Sequence, residues 1–173
     1  MRRTRGTSST IRRSELAERD IEFAIRSDAN VLLSGGDDSM RLSLAYLLCQ
    51  RLRRHGDPLV VVDSDRSAAL WEGVEFPEDG ILLIEELGVL SSRMQLELIR
   101  LLDRRDAQRA GGPAEHSRGL RVIATTACNL LDRIASKQFL GDLFYRLNTI
   151  NIVIPRRTRP AAPVEDSLAT AVM

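Results

Sequence analysis

The window Gly35-Gly36-Asp37-Asp38-Ser39-Met40-Arg41-Leu42 follows an apolar run and precedes a helical pattern. A turn in that position can wrap its backbone N–H groups round a phosphate chain. A lysine then reaches the terminal phosphates and a hydroxyl holds magnesium, at the spacing G-x-x-x-x-G-K-[ST]. Only Gly35 meets this pattern. Met40 stands where the second glycine belongs, and a side chain forced to positive φ costs roughly 1–2 kcal/mol, so the turn is expected to take another shape. Arg41 keeps the charge of the lysine but not its compact ammonium. Leu42 offers magnesium no oxygen. Asp37 and Asp38 put negative charge where a triphosphate would lie, and either can cap the free N–H groups of the helix that follows. On these residues alone, a capped strand–helix turn that binds nothing competes with a phosphate loop.

A second candidate is Glu85-Glu86, at the end of the apolar run Ile81-Leu82-Leu83-Ile84. In phosphate-loop ATPases one acid at such a strand end helps to hold magnesium and the next positions the attacking water. Strand ends often carry surface acids, so this pair is a weak signal by itself. Asp63 and Asp65 end another apolar run and read as solvated strand-end acids. His55 and His116 fall in loop-like segments and give no catalytic triad.

The elements that must hold these residues follow from hydrophobic patterning. Glu15 to Arg26 is a short amphipathic helix. Asn30–Gly36, stopped by its two glycines, and Leu59–Asp63, Ile81–Ile84, Leu120–Thr126 and Asn151–Ile154 are short apolar runs bounded by turn residues, the pattern of buried strands. Arg41 to Arg54 places Leu44, Leu47, Leu48 and Leu52 on one helix face. Ser92 and Gln95 suggest a capping box opening a helix with Met94, Leu98, Leu101 and Leu102 inward. Asp106 to Gly119 reads as a loop, and a helical stretch runs on to about Leu147. Strands alternating with helices predict a parallel sheet of about five strands covered on both faces, a three-layer α/β/α sandwich.

At 173 residues, 43% apolar and 28% charged, the chain suits one soluble domain, expected over residues 15–154. A formal charge of +1 gives no overall field for nucleic acid or membrane. Arg2, Arg3, Arg5, Arg12 and Arg13 crowd a polar arm, residues 1–14, expected to be disordered. Arg156, Arg157 and Arg159 open a tail, 155–173, read from its prolines and alanines as disordered. Cys49 and Cys128 are too few for a disulfide framework or metal cluster, which fits the cytoplasm. Trp71 is expected in the core or facing a partner.

Five windows taken in order resemble the AAA+ ATPase core of bacterial sigma-54-dependent transcriptional activators. Val31-Leu32-Leu33-Ser34-Gly35 is similar to the family's VLITG, and Ile81 to Gly88 to TLFLDEIG. Met94 to Leu102 resembles its QAKLLRVLQE helix, and Arg121 to Thr126 its RIIAATN. Phe139-Leu140-Gly141-Asp142-Leu143-Phe144-Tyr145-Arg146-Leu147-Asn148 looks like FREDLYYRLN. The resemblance spans about Val31 to Ile154 and implies a P-loop NTPase fold of the AAA+ type. It implies nucleotide-binding positions at Gly35, Gly36, Ser39, Met40, Arg41 and Leu42, and catalytic positions at Glu85, Glu86 and Arg146, the last as an arginine finger.

Departures from the family pattern point away from turnover. The lysine is Arg41, the magnesium aspartate is Glu85, the sensor asparagine is Ala127, and the first arginine finger falls on Leu140. An arginine finger is worth about 10³–10⁵ in rate, and one lost electrostatic donor costs about 10²–10³. The segment from Asp65 to Ile81 is too short for the family's GAFTGA loop, so direct contact with sigma-54 is not expected. A helical lid after the fifth strand is not expected. The expectation is therefore a non-catalytic regulatory module acting through protein contacts, with intact AAA+ subunits or its own copies as partners, no metal and no cofactor. A residual switch binding ATP with Mg2+, or a divergent ATPase, is the alternative. DNA contact is expected only through the Arg-rich arms, and membrane contact not at all.

Overall fold

A computed structural model of the chain describes residues 18–53, 56–64, 76–111 and 119–155. The basic arm 1–14, His55, Asp65, Trp71, His116 and the tail from 156 lie outside these. Five strands, β1 (Val31–Gly35), β2 (Leu59–Asp63), β3 (Gly80–Glu85), β4 (Leu120–Thr126) and β5 (Ile150–Ile154), form one sheet in the order β2-β3-β4-β1-β5. Every neighbouring pair is parallel. β3 and β4 are buried along nearly their whole length, which is why they read as unbroken apolar runs rather than alternating ones.

Side chains alternate between two cores. Val31 and Leu33 of β1 join Ile81, Leu83, Ile123, Ile150 and Ile152 on the face covered by α1 (18–26) and α2 (Asp38–Leu52). Leu32 joins Leu82, Ile84, Val122 and Ala124 on the other face. There they meet α3 (Ser92–Gly111) and α5 (Gly141–Leu147) through Leu98, Leu102, Leu143 and Leu147. A short helix α4 (Leu130–Ala135) precedes α5, and a 3-10 turn (Leu87–Val89) leads from β3 toward α3. The sandwich expected from the alternation of elements is present, and Met94, Leu98, Leu101 and Leu102 all point inward.

Several local expectations need correction. α2 starts at Asp38, not at Arg41, because Asp37 caps it three residues earlier. Its buried stripe is Arg41, Ala45, Leu48 and Cys49, which turns Leu47 outward to 46% exposure. Ser91 rather than Ser92 caps α3, its hydroxyl accepting from Met94 N at 3.3 Å. Gln95 makes no capping box. Buried at 1% exposure, it donates to Leu90 O and Gln138 O and accepts from Leu140 N, fixing the approach to α5. The helix also runs through Asp106 to Gly111, where a loop was expected. The stretch before β5 is two helices, broken at Lys137, which takes a left-handed φ of 60°.

Two buried polar side chains tie the N-terminal ends of the central strands to the helices. Asn30 donates to Arg146 O and accepts from Val122 N and Arg105. Arg121 donates to Ala24 O and Ser27 O at the C-terminal end of α1, where unpaired carbonyls and the helix dipole favour a cation.

Candidate functional site

The site lies at the carboxyl ends of β1, β3 and β4. β1 ends at Gly35, left-handed at φ 73°, and Gly36 just after it is left-handed as well, at φ 58°. Only Gly36 and the extended cap Asp37 separate strand from helix. Asp37 Oδ1 accepts from Met40 N at 2.8 Å, an N-cap that satisfies a first-turn donor. Asp38, Ser39 and Met40 therefore form the first turn of α2 instead of an open loop. Met40 escapes positive φ by being helical; Ser39 is exposed, and Met40 and Leu42 are half-buried.

Arg41 turns back into this space and is only 3% exposed. Its guanidinium donates to Gly35 O at 2.9 Å and to Glu86 Oε1 at 3.1 Å, and it also pairs with Asp38. Glu86 completes the bridge, its other oxygen accepting from Ala127 N at 2.9 Å. Its own N–H donates to Thr125 Oγ1 at 3.1 Å. One carboxylate thus links the ends of β3, β4 and the start of α2. Glu86 does this from a left-handed backbone, φ 54° and ψ 59°, a conformation that costs a non-glycine residue of order 1–3 kcal/mol and persists only where its surroundings enforce it.

Glu85 faces elsewhere. Its Oε1 accepts from the Tyr46 hydroxyl of α2 at 2.8 Å, and this bond, with some burial and the nearby negative charge, raises the phenol's pKa. Tyr46 was not singled out from sequence, and an exposed tyrosine on a helix flank gives no signal of this contact. The structure therefore brings Gly35, Gly36, Arg41, Glu85 and Glu86 together at one end of the sheet.

Arg146 is not part of that cluster. α5 delivers it to the opposite end, where its carbonyl meets Asn30 just before β1. Its side chain pairs with Asp142 at 3.0 Å and Asp103 at 2.6 Å, which together raise its pKa further. These contacts pin α5 on α3. Leu140, where a first arginine finger would stand, packs against the core and donates its N–H to Gln95. Arg146→Ala is expected to lower stability by about 0.5–1 kcal/mol at low ionic strength and less at high salt, the behaviour of partly exposed pairs. Chemical denaturation at two salt concentrations checks this.

The sequence profile of the family described as "Sigma-54 interaction domain" matches residues 72–153, the segment that holds Glu85, Glu86 and Arg146. Over 162 residues the chain is 30% identical to HyfR of Escherichia coli strain K12, a DNA-binding transcriptional activator, covering 81% of this chain and 24% of HyfR. The chain is thus similar to the sigma-54 interaction domain family over that segment, and to sigma-54-type activators over most of its length. It spans between a quarter and a third of the length of the curated relatives it matches. The P-loop NTPase domain of a sigma-54 activator from E. coli superposes with TM-score 0.54 at 22% identity, over 74% of this chain and 98% of that one. NtrX from Brucella abortus, solved in complex with ATP, superposes with TM-score 0.62 at 21% identity, over 83% of this chain and 37% of NtrX. The fold is thus that of an AAA+ P-loop NTPase domain. The match to the family profile begins after the turn at residues 35–42. No helix among the described residues is long and apolar enough to cross a membrane.

Proposed function

We propose that this chain is a non-catalytic module of the sigma-54 interaction type, serving transcriptional regulation through protein contacts. The observation that carries the reading is the Arg41 guanidinium, buried against Gly35 O and Glu86 in the place a triphosphate would need. A phosphate cradle requires a run of free, inward N–H groups and a mobile cation. Here the run is wound into α2 and capped by Asp37, and the cation is consumed by two carboxylates of the same chain. A triphosphate does not fit these residues without breaking both pairs and crowding Asp37 and Asp38. Glu86, the family position for water activation, spends one oxygen on Arg41 and the other on Ala127 N.

Residues 64–79 alone join β2 to β3, which supports a module that does not itself grip sigma-54 and instead meets other AAA+ subunits or copies of itself. A cytoplasmic setting goes with that role. Titration calorimetry with ATP and Mg2+, together with a phosphate-release assay, tests the reading. The expected result is no saturable heat and no release above the blank, for the natural chain, for Glu86→Gln and for Arg41→Lys. Release by the natural chain that Glu86→Gln abolishes establishes a divergent ATPase instead. Saturable binding without release establishes a nucleotide switch.

A further inference from the structure

The sheet ends at β5. Among the described residues no strand lies beyond it. Ile150 N–H donates inward to Asn30 O, at the root of β1. Backbone groups alternate in direction along a strand, so Ile152 and Ile154 also bond toward β1, and the N–H and C=O of Asn151 and Val153 point off the edge. Natural edges are blunted by charges, prolines or bulges. Ile150 to Ile154 holds neither a charge nor a proline, and its register with β1 runs without a bulge.

One face beside this edge is open as well. Ile150, Ile152 and Ile154 are buried, but Asn151 and Val153 are exposed, Val153 at 54%. Next to Asn151 lies a recess of about 290 Å3, floored by Leu32 and Ser34 and walled by Leu131 and Phe144. No charged side chain lines it, and Leu131 is 56% exposed. An apolar pocket beside an unpaired strand suits recognition by strand addition, in which main-chain bonds supply affinity and pockets for alternate side chains supply specificity. The flanks, by contrast, are charged with one sign. Gly35 belongs to the rim, and Asp37 and Asp38 follow it, both exposed. Asp132 follows Leu131 and is exposed too. The cation of the first turn, Arg41, is 3% exposed and bound to Glu86. Among the described residues the surroundings therefore favour a cationic partner and oppose a phosphate backbone.

We infer that β5 accepts an extended segment of a partner protein as a sixth strand, that this segment is apolar at alternate positions with basic residues at its ends, and that one of its large apolar side chains sits in the recess over Leu32 and Ser34. The contact surface so assigned rests on the reading of the chain as a module of protein contacts.

Hydrogen exchange of the backbone amides of the full chain, read by NMR, tests the assignment. The probe is a short capped peptide of alternating threonine and valine with a central phenylalanine and an arginine at each end. In the free chain the amides of Asn151 and Val153 are expected to exchange fast, while those of Ile152 and Ile154 are protected. With the peptide at about 1 mM, Asn151 and Val153 are expected to slow by roughly tenfold, the protection that a Kd of about 100 μM gives. The same peptide with glutamates for arginines is expected to bind at least roughly tenfold more weakly. Leu131→Asp and Val153→Asp, both at exposed positions, should weaken the arginine peptide by a similar factor. Leu96→Asp, at an exposed position on α3 outside the recess, should leave its binding unchanged. No slowing by the arginine peptide, or equal slowing by both peptides, overturns the assignment. So does protection of Asn151 and Val153 in the free chain. A segment of the same chain then covers the edge if the protection survives dilution, and a second copy does if it is lost. No sample contains nucleotide, so a failure here is separate from any failure in the ATP titration.

Discussion

Glu86→Ala is expected to lower the stability of the chain by about 2–4 kcal/mol, a fall in melting temperature of roughly 5–15 °C for a domain of this size. Arg41 is 3% exposed, and without Glu86 its guanidinium keeps Gly35 O and Asp38, whose side chain is 83% exposed and binds weakly through solvent. Breaking a fully buried pair from one side costs about 3–5 kcal/mol. Glu86 is 35% exposed, which puts the expectation toward the lower part of that range. Ala127 N also loses its acceptor. Alanine at φ 54° is no less strained than glutamate, so nothing is recovered. Glu86→Gly relieves that strain and is expected to be less damaging than alanine by about 1 kcal/mol. Glu86→Gln keeps a single acceptor oxygen, enough for Arg41 or Ala127 N but not both, and is expected to be milder than alanine but not neutral. Urea denaturation of the three variants gives the order; equal midpoints for alanine and the natural residue would mean that the bridge does not hold in solution.

Gly35→Ala is expected to be of similar size or larger, about 3–5 kcal/mol. Two penalties coincide there. The backbone at φ 73° disfavours any side chain, and a Cβ would come within 2.5 Å of Ile154 O, a backbone atom of the neighbouring strand. Relief would require β5 to part from β1. At Gly36 the obstacle is Ile154 Cγ2 at 2.7 Å, a side chain that can rotate, so Gly36→Ala is expected to cost less. Gly56, at φ 95° with nothing within 4 Å, isolates the strain alone. Thermal melts of the three alanine variants should rank Gly35 as most damaging and Gly56 as least. A Gly35→Ala midpoint no lower than that of Gly56→Ala would refute the close approach of β1 and β5.

The strands were legible because their burial on both faces writes itself as continuous apolar sequence, and the glycines after β1 marked its end. A cap at Asp37 or Asp38 was legible because capping is local chemistry, and the fold selects Asp37. Helix ends were less so: Ser91 and Ser92 have the same hydroxyl, and only the three-dimensional path of the chain decides which one faces the helix. Asp106 to Gly111 looked like a loop because polar residues such as Asp106 and Gln108 lie exposed on a long α3. At the site, the mismatch with a phosphate loop could be read from Met40, Arg41 and Leu42. What Arg41 does instead could not, since its partner Glu86 lies 45 positions away and is presented by a left-handed residue that no sequence pattern announces. The same holds for Tyr46 and Glu85, joined across α2 and β3.

The order of the strands bears on how the molecule is made. β1 precedes the other described strands in sequence, yet it sits between β4 and β5, with Val31 opposite Ile123 and Ile150. Its apolar side chains have no sheet partner until the last third of the chain has left the ribosome. Contacts so distant in sequence close slowly, and unpaired strands of this kind are aggregation-prone while they wait. A nascent chain stalled before β4 is therefore the form in which chaperone engagement or premature association should be most pronounced.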